Sequence, residues 1–140
     1  MAFQYRNNMA GDSILPCKDF PLASSYAATA KAGDVVKLDT NGQLVKAGTS
    51  DTAVLGVVEG FTFEGLYKQF KVGKVRLAPT AVYEADVTGT GTPKIGDEYG
   101  IDDNCNVDLA DTTTKIVRVV DIVNGKPYVV FIPSALQLIN

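Results

Sequence analysis

Lys31-Ala32-Gly33-Asp34-Val35-Val36-Lys37-Leu38-Asp39-Thr40-Asn41-Gly42-Gln43-Leu44 is the stretch that decides the fold of this chain. Val35, Val36 and Leu38 form a short β-branched and apolar run that suits a strand. Asp39-Thr40-Asn41-Gly42 reads as a tight turn, because Asn-Gly supplies the positive φ angles of a two-residue hairpin loop. Residues 43–46 return as the second strand. The phrase recurs at Lys94-Ile95-Gly96-Asp97-Glu98-Tyr99-Gly100-Ile101-Asp102-Asp103-Asn104-Cys105-Asn106-Val107. The Lys, the Gly, both Asp and the Asn coincide, and Leu38 and Leu44 pair with Ile101 and Val107. After a shift of one residue, Val54-Leu55-Gly56-Val57-Val58-Glu59 matches Ile116-Val117-Arg118-Val119-Val120-Asp121. Each copy therefore predicts a hairpin, a loop and a longer strand. A lone sheet leaves unpaired edges, so the expectation is an all-β chain. Its two units pack face to face as a small β-barrel or sandwich, with an internal two-fold hairpin repeat and a pseudo-two-fold relation.

Outward from the repeat, residues 53–63 predict a long strand with Gly56 and Gly60 at bulge or bend points. Residues 70–78 alternate, and Phe70, Val72, Val75 and Leu77 share a face if Gly73-Lys74 form a bulge. Residues 81–87 follow Pro79 as a further strand, and residues 88–93 read as a loop. Residues 116–123 and 128–132 make a closing hairpin about Asn124-Gly125. The tail at 134–139 is apolar enough to pack. Residues 24–31 are Ala-rich and predict one or two helical turns ended by Gly33.

Residues 1–30 differ from the rest and predict an extended N-terminal arm beside a β domain at 31–140. Pro16 and Pro21 break any helix there, since neither has an amide to donate. Phe3, Tyr5, Phe20 and Tyr26 follow no clear period. Such aromatics must be buried, either on the chain's own β body or on a partner's surface.

The chain has 140 residues with 46% hydrophobic content, which fits one ordinary domain able to bury a core without metal or disulfide. Its net charge is −3. Residues 1–80 carry nine bases and seven acids, whereas residues 81–140 carry four bases and nine acids. That is not the clustered Lys and Arg of a nucleic-acid surface. Cys17 and Cys105 are far apart and form no CxxC pair. Free thiols in a reducing compartment are expected, and a bridge between them is a question of geometry. Met1-Ala2-Phe3-Gln4-Tyr5-Arg6-Asn7-Asn8 lacks the apolar run of a signal peptide. No stretch approaches a transmembrane helix, so the expectation is a protein made in a cytoplasm with no membrane partner.

Histidine is absent, which removes the usual general base and metal ligand. No P-loop occurs, and Gly89, Gly91 and Gly96 do not fit GxGxxG. Asp102-Asp103-Asn104-Cys105-Asn106-Val107-Asp108 begins like a calcium loop. Val107 stands where that loop needs glycine and Thr113 where it needs glutamate, so a plain turn is expected. Glu59 with Glu64, or Glu84 with Asp86, are the available carboxylate pairs, and both read as solvated faces. Cys17 has no histidine to activate it. The expectation is a non-enzymatic protein without cofactor or metal.

Gly33-Asp34-Val35-Val36, Asn41-Gly42 and Val54-Leu55-Gly56-Val57-Val58 together resemble the head decoration (capsid cement) proteins of tailed bacteriophages. The resemblance covers residues 30–132 and implies a small β domain. It implies a homotrimer at three-fold axes of the expanded head, with the major capsid protein as partner and no nucleic acid bound. The location implied is the outer surface of the virion, after synthesis in the bacterial cytoplasm. It also implies shell contact through the N-terminal segment, which makes Phe3, Tyr5, Arg6, Phe20 and Tyr26 the candidate partner-binding residues. Strand addition to a shell edge and aromatics in pockets would supply the binding. Two other readings fit a small β chain: a tail or head-fibre-base subunit of a virion, and a non-viral β module that binds carbohydrate or peptide. The second usually displays exposed aromatics, and this chain has no tryptophan.

Overall fold

The computed structural model describes residues 3–9, 17–64, 69–77 and 79–138. Pro16 and Ile139, and the side chains of Glu64 and Phe70, lie outside the described residues. The strands are β1 (Phe3–Asn8), β2 (Cys17–Pro21), β3 (Val35–Leu38), β4 (Leu44–Lys46), β5 (Gly56–Glu64), β6 (Gln69–Arg76), β7 (Ala81–Ala85), β8 (Val87–Thr88), β9 (Glu98–Ile101), β10 (Val107–Asp108), β11 (Val117–Val123) and β12 (Lys126–Phe131). One short helix, α1 (Ser24–Ala27), and a 3₁₀ turn at Pro133–Ala135 complete them. The strands form a seven-stranded sheet, β1-β7-β12-β11-β9-β10-β8, and a five-stranded sheet, β2-β6-β5-β3-β4. The architecture is an all-β sandwich, and neither sheet closes as a barrel.

The hairpin repeat is present hydrogen bond for hydrogen bond. Gly33 N–H donates to Val58 O at 2.8 Å, and Gly96 N–H to Val119 O at 2.8 Å. Gly33 and Gly96 take φ of 96° and 95°, a region that favours glycine. Asp34 and Asp97 each turn back to accept the backbone N–H of Lys31 (3.0 Å) and Lys94 (3.2 Å). In the turns, Asp39 Oδ1 accepts the N–H groups of Asn41 and Gln43, and Asp102 Oδ1 those of Asn104 and Asn106, all at 2.9 Å. Gly42 (φ 73°) is matched by Cys105 (φ 58°), which carries a side chain in a conformation that glycine holds more easily. The Asp102 loop is thus an Asx-type turn whose carboxylate is already engaged.

The spatial match extends beyond the sequence echo and corrects its register. Leu55 N–H donates to Val36 O as Ile116 N–H does to Tyr99 O, both at 2.8 Å. Val58 therefore corresponds to Val119, one residue along from the match read in the sequence. Runs of Val and Leu look alike after a one-residue slip, but a slip turns every side chain to the other face, so hydrogen bonding decides. The longer strands even break register at the same place, between Val58 and Gly60 and between Val119 and Asp121. The bulge expected at Gly73-Lys74 thus lies across the ladder, on β5 at Glu59. β2 sits beside β6 as β7 sits beside β12. The parallel bridge Leu22–Leu44 mirrors Val87–Val107. In each unit, therefore, the chain just beyond the first strand, at Leu22 or in β8, bridges the strand at the far edge, β4 or β10.

Period-two alternation splits the core. Val36, Leu55, Val58 and Val75 fill the first unit with Phe20, Leu22, Tyr26 and Leu44. Val35, Val54 and Val57 point the other way, into a cluster with Tyr83, Ile101, Val107, Ile116, Val119 and Phe131 of the second unit. Ala135 and Leu136 of the tail pack there as expected, and Gln137 N–H donates to Val54 O at 2.8 Å. Leu138 is half exposed.

The segment 1–30 departs from the expected arm. β1 pairs with β7, β2 pairs with β6, and α1 packs into the first unit. The segment is extended but forms part of both sheets, so its described residues belong to the same body as residues 31–138.

Asp102 generates a pH prediction. Burial pushes its carboxyl up, but the hydrogen bonds from Asn106, Thr88 and Asn104 together outweigh that and hold it below the ordinary 3.8. A depressed folded value means stability that is complete above 3.8 and lost as pH falls through the lower folded value. Asp102→Asn should cost about 1–2 kcal/mol in urea unfolding at neutral pH. The gap to the unsubstituted protein should close as the pH falls below the ordinary value; a gap independent of pH would refute the assignment.

Candidate functional site: the N-terminal strand and the outer sheet face

Phe3 is fully buried. Its ring stacks on Phe131 at 5.7 Å and lies tilted against Tyr83 at 6.1 Å, while Tyr83 meets Phe131 edge-on at 5.6 Å. The backbone N–H of Phe3 donates to Gly33 O at 3.1 Å, so β1 pairs with the second unit and is tied to the first. Tyr5 meets Tyr83 edge-on at 6.0 Å, and the Arg76 guanidinium lies 4.1 Å over the Tyr5 ring. Arg76 reaches both oxygens of Glu59, at 2.7 and 2.6 Å. Such a fork is the geometry that makes Arg–carboxylate pairs strong. Burial, and then the Glu59 charge, push the Tyr83 hydroxyl well above its ordinary range, with Arg76 opposing. Phe3, Tyr5, Val57, Glu59 and Arg76 surround a small cavity of about 270 Å³.

Phe20 and Tyr26 also turn inward, at 8% and 4% exposure. The Tyr26 hydroxyl donates to Asp34 Oδ2 at 2.7 Å. Burial and this bond raise the Tyr26 pKa far above the usual phenol range. Three of the five candidate partner-binding residues, Phe3, Phe20 and Tyr26, are therefore core residues of the chain itself. The reason is size: an aromatic ring buries roughly 150–250 Å². Two curled units without tryptophan need those rings to fill the gaps between them. Tyr5 is half-buried and Arg6 exposed. Arg6 is held by Glu84, with Nε at 2.9 Å, and donates to Gln4 Oε1 at 2.9 Å.

What the fold presents outward is a face of paired charges. On β1, β7 and β12, Arg6 and Lys126 flank Glu84, and Lys126 reaches Asp86 at 2.9 Å. On β9 and β11, Arg118 donates twice to Glu98, at 3.0 and 2.7 Å, and Lys115 stands 3.9 Å away. The sequence holds no signal for these pairs, because each joins residues of different strands and appears only once the register is set. Of the carboxylates in the two pairs that the sequence offers, Glu59 is engaged by Arg76, and Glu84 and Asp86 by Lys126, while the Glu64 side chain lies outside the described residues.

Cys17 is exposed and Cys105 buried, and both are free thiols. Burial pushes Cys105 up to about 11. Among the described residues, no group of three or more His, Cys, Asp or Glu is placed to hold a metal. No described helix is long and apolar enough to cross a membrane. The arrangement can bind through charge and shape. Comparison with family models, with curated proteins and with solved structures finds no match to this chain.

Two substitutions separate anchoring from surface roles. Phe3→Ala empties the socket between the units and should lower unfolding free energy by about 3–5 kcal/mol. Arg6→Ala removes an exposed ion pair and should leave the stability nearly unchanged. Urea denaturation of both variants gives the comparison, and a Phe3→Ala chain as stable as the parent would contradict the socket.

Proposed function

We propose that the protein is a head decoration protein of a tailed phage, binding the outer surface of the expanded shell as trimers and stabilising it. The observation that carries this reading is the Gly33-Asp34-Val35-Val36, Asn41-Gly42, Val54–Val58 rhythm, on which the resemblance to capsid cement proteins rests. The surface is consistent with such a role. Charged pairs spread across a sheet face suit a broad, shallow contact, and many modest contacts repeated on a lattice gain strength through avidity. No catalytic step is part of the proposal.

The buried aromatics change how the N-terminal segment would serve. Phe3, Phe20 and Tyr26 anchor it, so shell contact falls to its exposed residues, among them Arg6, Lys18 and Asp19. Removing residues 1–25 should therefore unfold the protein rather than cleanly abolish binding.

The test is addition of the purified protein to expanded heads that lack it, followed by sedimentation and quantitative mass spectrometry of the pellet. Copies comparable in number to the shell protein are expected. A handful per particle would place the chain in a tail or fibre base, and none at all would favour a non-viral binding module. Arg6→Glu with Lys18→Glu should weaken head binding by about tenfold or more, the equivalent of 1.4 kcal/mol. The circular dichroism spectrum should stay unchanged.

A further inference from the structure

The two units meet through a contact that runs one way. The turn of the second hairpin lies on the first unit. Val35 N–H donates to Cys105 Sγ at 3.2 Å, and Asp103 Oδ1 accepts from the Thr49 N–H at 2.8 Å and its hydroxyl at 3.1 Å. Val35 and Cys105 are both fully buried, in the same core cluster. A pseudo-two-fold relation would return it, seating the first turn on the second unit. The first turn instead points outward: Thr40, Asn41 and Gly42 are exposed, and a Cβ at Gly42 would meet no atom within 4 Å.

The partner position on the second unit is equally identifiable. Val35 pairs with Val57 in the first unit, and its counterpart Glu98 pairs with Arg118 in the second. Thr49 lies in the loop before β5, and Thr112 in the corresponding loop before β11. Around Glu98 and Thr112, with Gly96, Asp97, Tyr99 and Lys115, opens a cleft of about 350 Å³. Among the described residues, each chain thus carries an occupied position on its first unit, a cleft at the equivalent position of its second, and an exposed turn.

We propose that the turn at residues 39–43 of one copy seats in the cleft between Gly96 and Lys115 of a second copy, joining chains head to tail. The chemistry of the cleft selects this occupant. Where the occupied position offers Val35 and Val57, the cleft offers Asp97, Glu98, Lys115 and the Thr112 hydroxyl, so its plug must be polar. Thr40 and Asn41 bring a hydroxyl and an amide to the tip of the turn. A contact between two different surfaces closes into a ring or continues as a filament, according to the rotation it imposes. The inference stands on the duplicated unit and does not depend on the phage reading.

The test uses the full chain in a Cys17→Ser background, which leaves only the buried Cys105. Asn41→Cys and Thr112→Cys are made separately, both at exposed positions. Mixed and gently oxidised, the two variants should form a cross-linked pair, and neither should do so alone. No cross-link in the mixture overturns the proposal, as does Asn41→Cys linking to itself equally well. Sedimentation velocity of the unsubstituted chain should show association that rises with concentration. Thr112→Arg, filling the cleft, should weaken that association about tenfold or more. A chain that stays monomeric into the millimolar range overturns the proposal whatever the outcome with phage heads.

Discussion

Val35 offers its N–H to the sulfur of Cys105, and through that contact the second hairpin covers the outward face of the first unit. Much of the molecule follows from it. Val35, Val54 and Val57 can be apolar on the side facing away from their own unit only because another unit lies there. The gap left at the margin is filled by Phe3 from one end of the described chain and by Ala135 and Leu136 from the other. On the equivalent face of the second unit, Glu98 and Arg118 stand where the first unit has Val35 and Val57. One architecture used twice has thus been given an apolar face where it is enclosed and a charged one where it meets water.

The hairpins were legible because their turn chemistry is local. Asn41-Gly42 and the Asp39 and Asp102 carboxylates act on backbone groups two to four residues away. A window of a few residues therefore contains the whole cause. β1 and β2 were not legible because each is an edge strand. Cys17, Lys18 and Asp19 are all exposed, and a strand with one neighbour and a wet face shows little apolar alternation. Pro21 ends β2 without cost at such an edge.

The candidate site was less legible than the fold. Phe3, Phe20 and Tyr26 read as rings that need burial, but sequence does not distinguish the chain's own core from a partner. Register settles it, since Phe3 opposite Ala85 places the ring between Tyr83 and Phe131. The ion pairs Arg76–Glu59 and Arg118–Glu98 depend on register in the same way. The outward turn and the open cleft became visible only when the two units were compared as objects in space.

The threading of the chain also imposes an order on synthesis. When the first unit leaves the ribosome, its inner core can form, but Val35, Val54 and Val57 remain uncovered until residues 99–136 have followed. Many of the stabilising contacts join residues distant in sequence, as Phe3 with Phe131 and Leu38 with Gln137 illustrate. Such long-range closure is slow, and it leaves an apolar sheet face open to neighbouring nascent chains in the meantime. Translation rate and crowding of the polysome, rather than equilibrium stability alone, should therefore govern how much of this protein reaches its native form.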